Sequence, residues 1–482
     1  MVVRTSLLCA LLLCALSSTP ARAQDAICDW EAEWFGCSGE DCWLTTDTKA
    51  LHFLQGKKLG DDVTYSIGGA LRYRYLDERN RLRPPLAAGE SDYDQWRFTP
   101  YFEIGYQDWV TGYVQAIDAP TFNYELPQLA IDENRSDLLQ YYVDLKVADL
   151  DAGKVRFRYG RQLLSYGSQH LVSPLAWANT FRNFEGYKLY FAGEAWSVDA
   201  FAVQPVDGAS LNAFRPTSFD TPDQSRWFSG VYSTYKKAPG GTLDLYWLWL
   251  HEREDRVGML DGSRHTLGVR YAGSKPVKEG EDTLLTYLWD VEGAYQFGED
   301  DFLTGVDQSV QAGMLNVNGG MRMDSLPWSP TLTGIYYWGS GDRDPTDGRQ
   351  TTFNTLFPLG HAYWGILDNF SGQNLSDYVV QLSLAPTKKL TLVGAWHWFD
   401  KAAAEDAIYN IGGVPFGGVS TTDLNIGNEL DLIATYKLSA NLMLEVGHSW
   451  FWYGDAVSLN PNPLVATRGD ATQFYMFLDW LF

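Results

Sequence analysis

One pattern constrains this chain more than any other. Apolar and polar residues alternate at a period of two, over stretches too long for an ordinary globular strand. Val63, Tyr65, Ile67, Gly69, Leu71, Tyr73 and Tyr75 share one face; Thr64, Ser66, Gly68, Ala70, Arg72 and Arg74 share the other. Globular strands run about five or six residues, whereas a tilted strand crossing a bilayer needs about nine to eleven. The last nine residues carry the same signal. Phe474, Met476, Leu478, Trp480 and Phe482 form one apolar face, and Tyr475, Phe477, Asp479 and Leu481 form a mixed one. A greasy final strand gives a soluble protein little, because termini fray into water. In a membrane barrel such a strand closes against the first and leaves no edge in lipid.

The alternation repeats along the chain. Phe98, Phe102, Ile104 and Tyr106 alternate with Arg97, Thr99, Tyr101 and Glu103. Leu139, Tyr141, Val143, Leu145 and Val147 alternate with Gln140, Tyr142, Asp144 and Lys146. Eighteen such segments are expected, from 63–76, 94–107 and 109–118 at the start, through 263–272 and 284–297, to 428–437, 440–452 and 471–482 at the end. Short turns such as Ala238-Pro239-Gly240-Gly241 alternate with long polar connections at 119–136, 163–183, 205–226, 340–375 and 401–427. Short turns on one rim and long loops on the other are the outer-membrane arrangement. The expected fold is therefore all-β: a transmembrane antiparallel outer-membrane β-barrel of about 18 strands over residues 61–482.

The amino end reads differently. A basic start through Arg4, an apolar run from Leu7 to Leu16, and Ala21-Arg22-Ala23 predict a signal peptide over 1–23, cut before Gln24. Residues 24–60 form a polar lead-in, expected in the periplasm or packed at the amino end of the barrel. It holds Cys28, Cys37 and Cys42, of which one pair can join in an oxidising compartment. The chain is acidic, with a net charge of −23, which argues against nucleic acid as a partner. It does not exclude an anionic ligand, because the field inside a channel depends on local charge. The 19 Trp and 28 Tyr, against a mean hydropathy of only −0.24, suit aromatic girdles around a barrel better than membrane helices.

Two blocks carry a resemblance. The first is Gly160-Arg161-Gln162, Ser165-Tyr166-Gly167, Asn179, Arg182 and Gly186. The second is Gly341-Asp342, Asp344-Pro345, Asp347-Gly348, Phe353, Leu356-Phe357-Pro358, Gly360-His361 and Asn374-Leu375. Together they resemble the alginate export family of outer-membrane proteins. The resemblance implies a monomeric eighteen-stranded barrel passing an anionic polysaccharide outward through an electropositive lumen. Its further implied partners are outer-membrane lipid, the barrel-assembly machinery and periplasmic export components. The lead-in with its cysteines departs from the family's pattern.

The residues support part of this independently. Inward parity falls on Arg72, Arg74, Arg97, Arg156, Arg158, Arg264 and Arg270, with Arg161 and Arg182 added from the first block. An arginine fork suits uronate carboxylates. The bland alternative is that these arginines brace the wall by pairing with Glu103, Asp144, Asp290 and Glu292. The 340–375 connection is too long for a plain loop and is expected to fold over or into the pore as a gate, with Asp342, Asp344, Asp347, Phe353 and His361. Those three aspartates ahead of Gly348 are half of a calcium-loop pattern; an ordinary acidic turn uses the same residues. No other metal or cofactor is expected.

No catalytic signature appears, and no enzyme activity is expected. His448 with Ser449, or His397, qualify for a barrel-borne lipase by residue type alone. The competing readings are a diffusion porin or uptake channel on the same barrel, and a secreted β-rich glycan-binding protein.

Overall fold

In the computed structural model the chain forms one closed antiparallel barrel. The structure describes residues 54–83, 89–207, 219–253, 261–300, 308–416, 423–462, 465 and 469–482. The signal peptide, the lead-in up to residue 53 and the three lead-in cysteines lie outside the described residues.

Eighteen long strands make the wall. They are β1 (Val63–Arg79), β2 (Glu90–Tyr106), β3 (Val110–Ala119), β4 (Asn134–Leu150), β5 (Gly153–Gln162) and β6 (Phe184–Gly193). β7 (Trp196–Asp207), β8 (Arg226–Ala238), β9 (Gly241–Glu252), β10 (Gly262–Glu279), β11 (Asp282–Asp300) and β12 (Gln308–Arg322) follow. The last six are β13 (Thr331–Gly339), β14 (Leu375–Thr387), β15 (Leu390–Lys401), β16 (Asn425–Ser439), β17 (Leu442–Tyr453) and β18 (Ala471–Leu481). Each pairs with its sequence neighbours, and β18 pairs with β1 to close the ring, with Asp479 opposite Arg72.

The seam is completed by Phe482. Its amide donates to Gly69 O at 3.0 Å, its carbonyl accepts from Gly69 N at 2.9 Å, and its ring stacks on Phe98. A side chain at Gly69 would strike Phe482 and the Thr99 carbonyl, both 2.7 Å from its β-carbon position. Glycine is therefore required where the two ends of the sheet meet.

Outward positions form an apolar belt that includes Ile67, Phe98, Val143, Leu189, Leu267 and Val380, all exposed. Trp109, Trp196 and Trp480 are also exposed on the outer surface. A soluble glycan-binding protein would bury such a belt; a barrel in lipid exposes it. Strands extend past their expected ends toward the long-loop rim: β1 runs to Arg79 and β2 begins at Glu90. β10 and β11 are also extended, meeting at a tight turn between Glu279 and Asp282.

One face assignment is corrected. Leu139 was expected among the lipid-facing residues, yet it is 2% exposed and packs on Ile117 and Ala119. The β3–β4 register slips beside it, with Gln115 opposite Gln140 but Ala116 opposite Leu138. A bulge adds one residue on one strand and so reverses which face that residue occupies.

Candidate functional site: a lumen plugged by two loops

Two of the long connections do not stay on the rim. Residues 163–183, between β5 and β6, and residues 340–374, between β13 and β14, fold into the barrel from nearly opposite walls. They zip together: Phe357 N donates to Leu171 O at 2.9 Å, Ser173 N to Phe357 O at 2.8 Å, and Leu359 N to Gln169 O at 3.0 Å. Trp177 of the first loop stacks on His361 of the second with ring centroids 3.6 Å apart. The Tyr363 hydroxyl donates to the Ser168 carbonyl. Phe353, Trp364, Leu367 and Phe370 are buried against inward rings of the wall such as Phe399 and Phe451. Phe353 and His361 of the connection expected to fold over or into the pore are both buried inside the barrel. The equal share taken by the 163–183 loop was not anticipated.

A third connection, 402–416, locks the second. The buried Asp406 carboxylate accepts from Asp342 N at 2.8 Å and from Thr352 Oγ1 at 2.6 Å. Asn374 donates to the carbonyls of Ala403 and Ala407 and accepts from Ala403 N. Sequence reasoning missed Asp406 and Trp177. Trp177 was within reach, because it sits in the first block, two residues before Asn179.

The arginines divide into two groups. Arg72, Arg74 and Arg97 on β1 and β2 hold the first loop by its backbone. Arg72 Nη1 donates to Ala176 O at 3.0 Å, Arg74 Nη1 to Trp177 O at 2.7 Å, and Arg97 Nη1 to Ala176 O at 2.9 Å and Ala178 O at 2.7 Å. Arg72 is also paired with Asp479 at 2.6 Å. Arg74 leans on Gln95 and lies over the Trp177 ring, and Arg97 lies over Phe181. Arg182 donates to Pro358 O at 3.0 Å and Ser173 O at 3.3 Å, so it bridges the two loops. Burial pushes its guanidinium down to about 10. Among the described residues, Arg74, Arg97 and Arg182 have no carboxylate ion-pair partner; their hydrogen-bond acceptors are carbonyl and amide oxygens.

The second group braces the wall; of the acids named for that role, Asp144 and Asp290 take arginines, whereas Glu292 is held by His170 and Tyr246. Arg156 and Arg158 on β5 share Asp144 of β4, and Arg158 lies 3.9 Å over the Tyr142 ring. Arg270 sits between Asp290 at 2.7 Å and Asp244 at 3.1 Å. Arg264 pairs with Asp300. Arg161 is buried among Asp137, Glu185 and the carbonyls of Leu138 and Asp220. It faces inward together with Arg158, three residues earlier, because Gly160 reverses the parity. Gly160 has φ +134°, and a β-carbon there would lie 2.2 Å from Tyr141 O. Arg156, Arg158 and Arg270 keep 13–16% of their side-chain surface exposed, against 3–7% for Arg72, Arg161 and Arg264.

The calcium pattern does not assemble. Asp342 Oδ1 accepts from Asp344 N, Asp344 Oδ1 from Thr346 N and Oγ1, and Asp347 Oδ1 from Arg349 N. Each carboxylate caps its own short turn. Among the described residues no three His, Cys, Asp or Glu side chains converge as a metal site. Burial raises the Asp342 carboxyl, whereas the two Thr346 hydrogen bonds lower that of Asp344. His448 and Ser449 are neighbours on one strand and so lie on opposite faces; Ser449 is fully buried and His448 touches the outward ring of Phe474. Ser168, His170 and Glu292 do meet inside the plug. However, the serine hydroxyl and the carboxylate both contact His170 Nδ1, at 2.6 and 2.7 Å. A relay needs one on each ring nitrogen.

Closed sheet, lipid-facing belt and occluded lumen together define an outer-membrane β-barrel channel. Residues 63–465 match the Alginate export family, and the chain belongs to that family. The barrel is similar to that of the outer-membrane protein OpdK from Pseudomonas aeruginosa (TM-score 0.58, 11% identity, 88% of this chain and 100% of that one). It is also similar to OprD from the same organism (0.55, 14%, 87% and 94%) and to its OccK8 (0.55, 13%, 87% and 98%). At these identities the likeness is one of fold. Among curated proteins no sequence matches.

Proposed function

We propose that this channel passes an anionic polysaccharide, an alginate-like polyuronate, and does so as a single non-enzymatic barrel gated by its two-loop plug. Family membership supports the substrate class. The observation that carries the reading is local: Arg74, Arg97 and Arg182 line the plug with carbonyl and amide acceptors and, among the described residues, no ion-paired carboxylate. Their charge is left to act on whatever enters. In a confined, low-dielectric passage it outweighs the acidic outer surface, which salt screens within about 10 Å. A carboxylate makes a shorter, stronger hydrogen bond to a guanidinium than a neutral carbonyl does, so a uronate chain can take the place of the loop backbone. Lumen pairs such as Arg270 with Asp290 shape the wall without adding to that field. The apolar belt places lipid around the barrel, and β18 is the element the assembly machinery would read.

Reversal potential in a salt gradient across a planar bilayer tests this. The native channel is expected to prefer anions. Arg74→Gln, Arg97→Gln and Arg182→Gln together should move the potential toward zero. A cation-preferring native channel would remove the basis for the proposal and favour a general diffusion porin.

A further inference from the structure

The plug rests on one wall that is the opposite of the arginine wall. Four inward side chains on β14, β15 and β16 form a buried cluster: Asp377, His397, Glu429 and Asp431, none more than 6% exposed. His397 Nδ1 lies 2.8 Å from Asp377 Oδ2 and its Nε2 lies 3.5 Å from Asp431 Oδ2. Glu429 stands opposite His397 in register and two residues before Asp431 on the same face. Two carboxyl groups therefore flank one imidazole with a third, Glu429, beside them, and among the described residues no lysine or arginine pairs with them. Asp377 Oδ1, Glu429 Oε2 and Asp431 Oδ1 each lack a hydrogen-bond partner there. Ser449, opposite Asp431 on β17 and fully buried, has an unpartnered hydroxyl, and the amide Oε1 of buried Gln473, opposite it on β18, is also unpartnered among the described residues. Buried carboxyl groups this close repel one another when ionised, and among the described residues His397 is the basic side chain set against them.

The plug sits directly on this cluster. Glu429 Oε1 accepts from Leu367 N at 2.9 Å. Gly365, at φ +83°, passes so close that a β-carbon would be 2.4 Å from Glu429 Oε2. From the loop side the charged groups facing the cluster are Asp368, which lies 3.0 Å from His361 Nδ1, and Arg81, whose Nε donates to Leu367 O. Arg81 is itself tied to Glu78. From the adjoining strands the nearest further pair is Glu445 with Tyr475, hydrogen-bonded to each other at 3.0 Å.

We propose that this cluster is a proton-operated latch for the plug. With the cluster protonated at Glu429, the Gly365–Leu367 backbone lies down on it and the lumen stays closed. As that proton leaves, negative charge accumulates under Asp368, whose own carboxylate repels it, and the 340–374 loop lifts. Opening therefore rises with pH. The inference rests on the plug being the gate of the proposed channel, but it makes no use of the polymer.

Single-channel recordings in symmetric salt at about pH 5 and about pH 8 test the latch. The open fraction of the native channel is expected to rise by roughly tenfold between the two, the size one proton-linked equilibrium readily supplies. Glu429→Gln with Asp431→Asn should stay near the low-pH level at both values while keeping the folded, heat-modifiable gel form. If that pair fails to assemble, Glu429→Gln alone should flatten the rise at least partly. A native channel indifferent to pH, or a variant that keeps the full rise, overturns the latch. Cation preference with intact pH-dependent opening would instead sink only the polyuronate reading.

Discussion

At the scale of single residues, the account turns on which oxygen each buried charge meets. Asp220, just before the β7-side connection returns to β8, illustrates it. Burial, with Asp137 beside it, raises its carboxyl to about 6. A carboxyl raised above its unfolded value favours the protonated folded state, so its contribution is fully present below about pH 4 and is lost as pH rises through about 6. Asp220→Asn should therefore stabilise the barrel above pH 6 and flatten the decline between pH 4 and 6, read from the heat-modifiable transition on gels. An unchanged profile would show that Asp220 and Asp137 do not share a proton. What was legible here was parity. Arg72, Arg74, Arg97, Arg156, Arg158, Arg264 and Arg270 all face inward, as period-two counting says. Their partners were legible only in part: Asp144 and Asp290 were named among the candidate acids, but which arginine each takes was not. Arg156 meets Asp144 only once the β4–β5 register is set, and Arg97 meets backbone carbonyls of a loop about eighty residues away in sequence, which side-chain pattern cannot encode.

At the scale of elements, every strand was visible in the alternation, because a face in lipid and a face in the lumen impose opposite chemistry on successive residues. The misplacement of Leu139 marks the limit of that logic, since a bulge leaves no hydropathic trace. The two blocks that pointed to the family proved to be the two plug loops, which explains why they lack strand period. Their hydrogen bonds satisfy backbone that would otherwise be stranded inside the barrel. Removing Thr351–Ser371 takes away the ring packing of Phe353, Trp364 and Phe370 and the zipper to Leu171. The strands, which pair without it, should still assemble, and conductance should increase and become steadier. Conductance unchanged by the deletion would place the loop clear of the ion path.

At the scale of the whole molecule, two charge distributions compete. The chain carries a net −23, while arginines without carboxylate partners gather where the two loops close the lumen. Total charge was plain in the sequence; the gathering of Arg74, Arg97 and Arg182 around the plug was not, because it depends on two loops meeting from opposite walls. The claim that this constriction selects anionic polymers is tested most directly by polymer block. Single-channel current should be measured with uronate oligomers and with neutral oligosaccharides of equal length. The account predicts that uronates interrupt the current and neutral sugars do not, and that changing Arg74, Arg97 and Arg182 to Gln shortens the interruptions. Equal block by neutral sugars, or block untouched in the three-arginine variant, would contradict it.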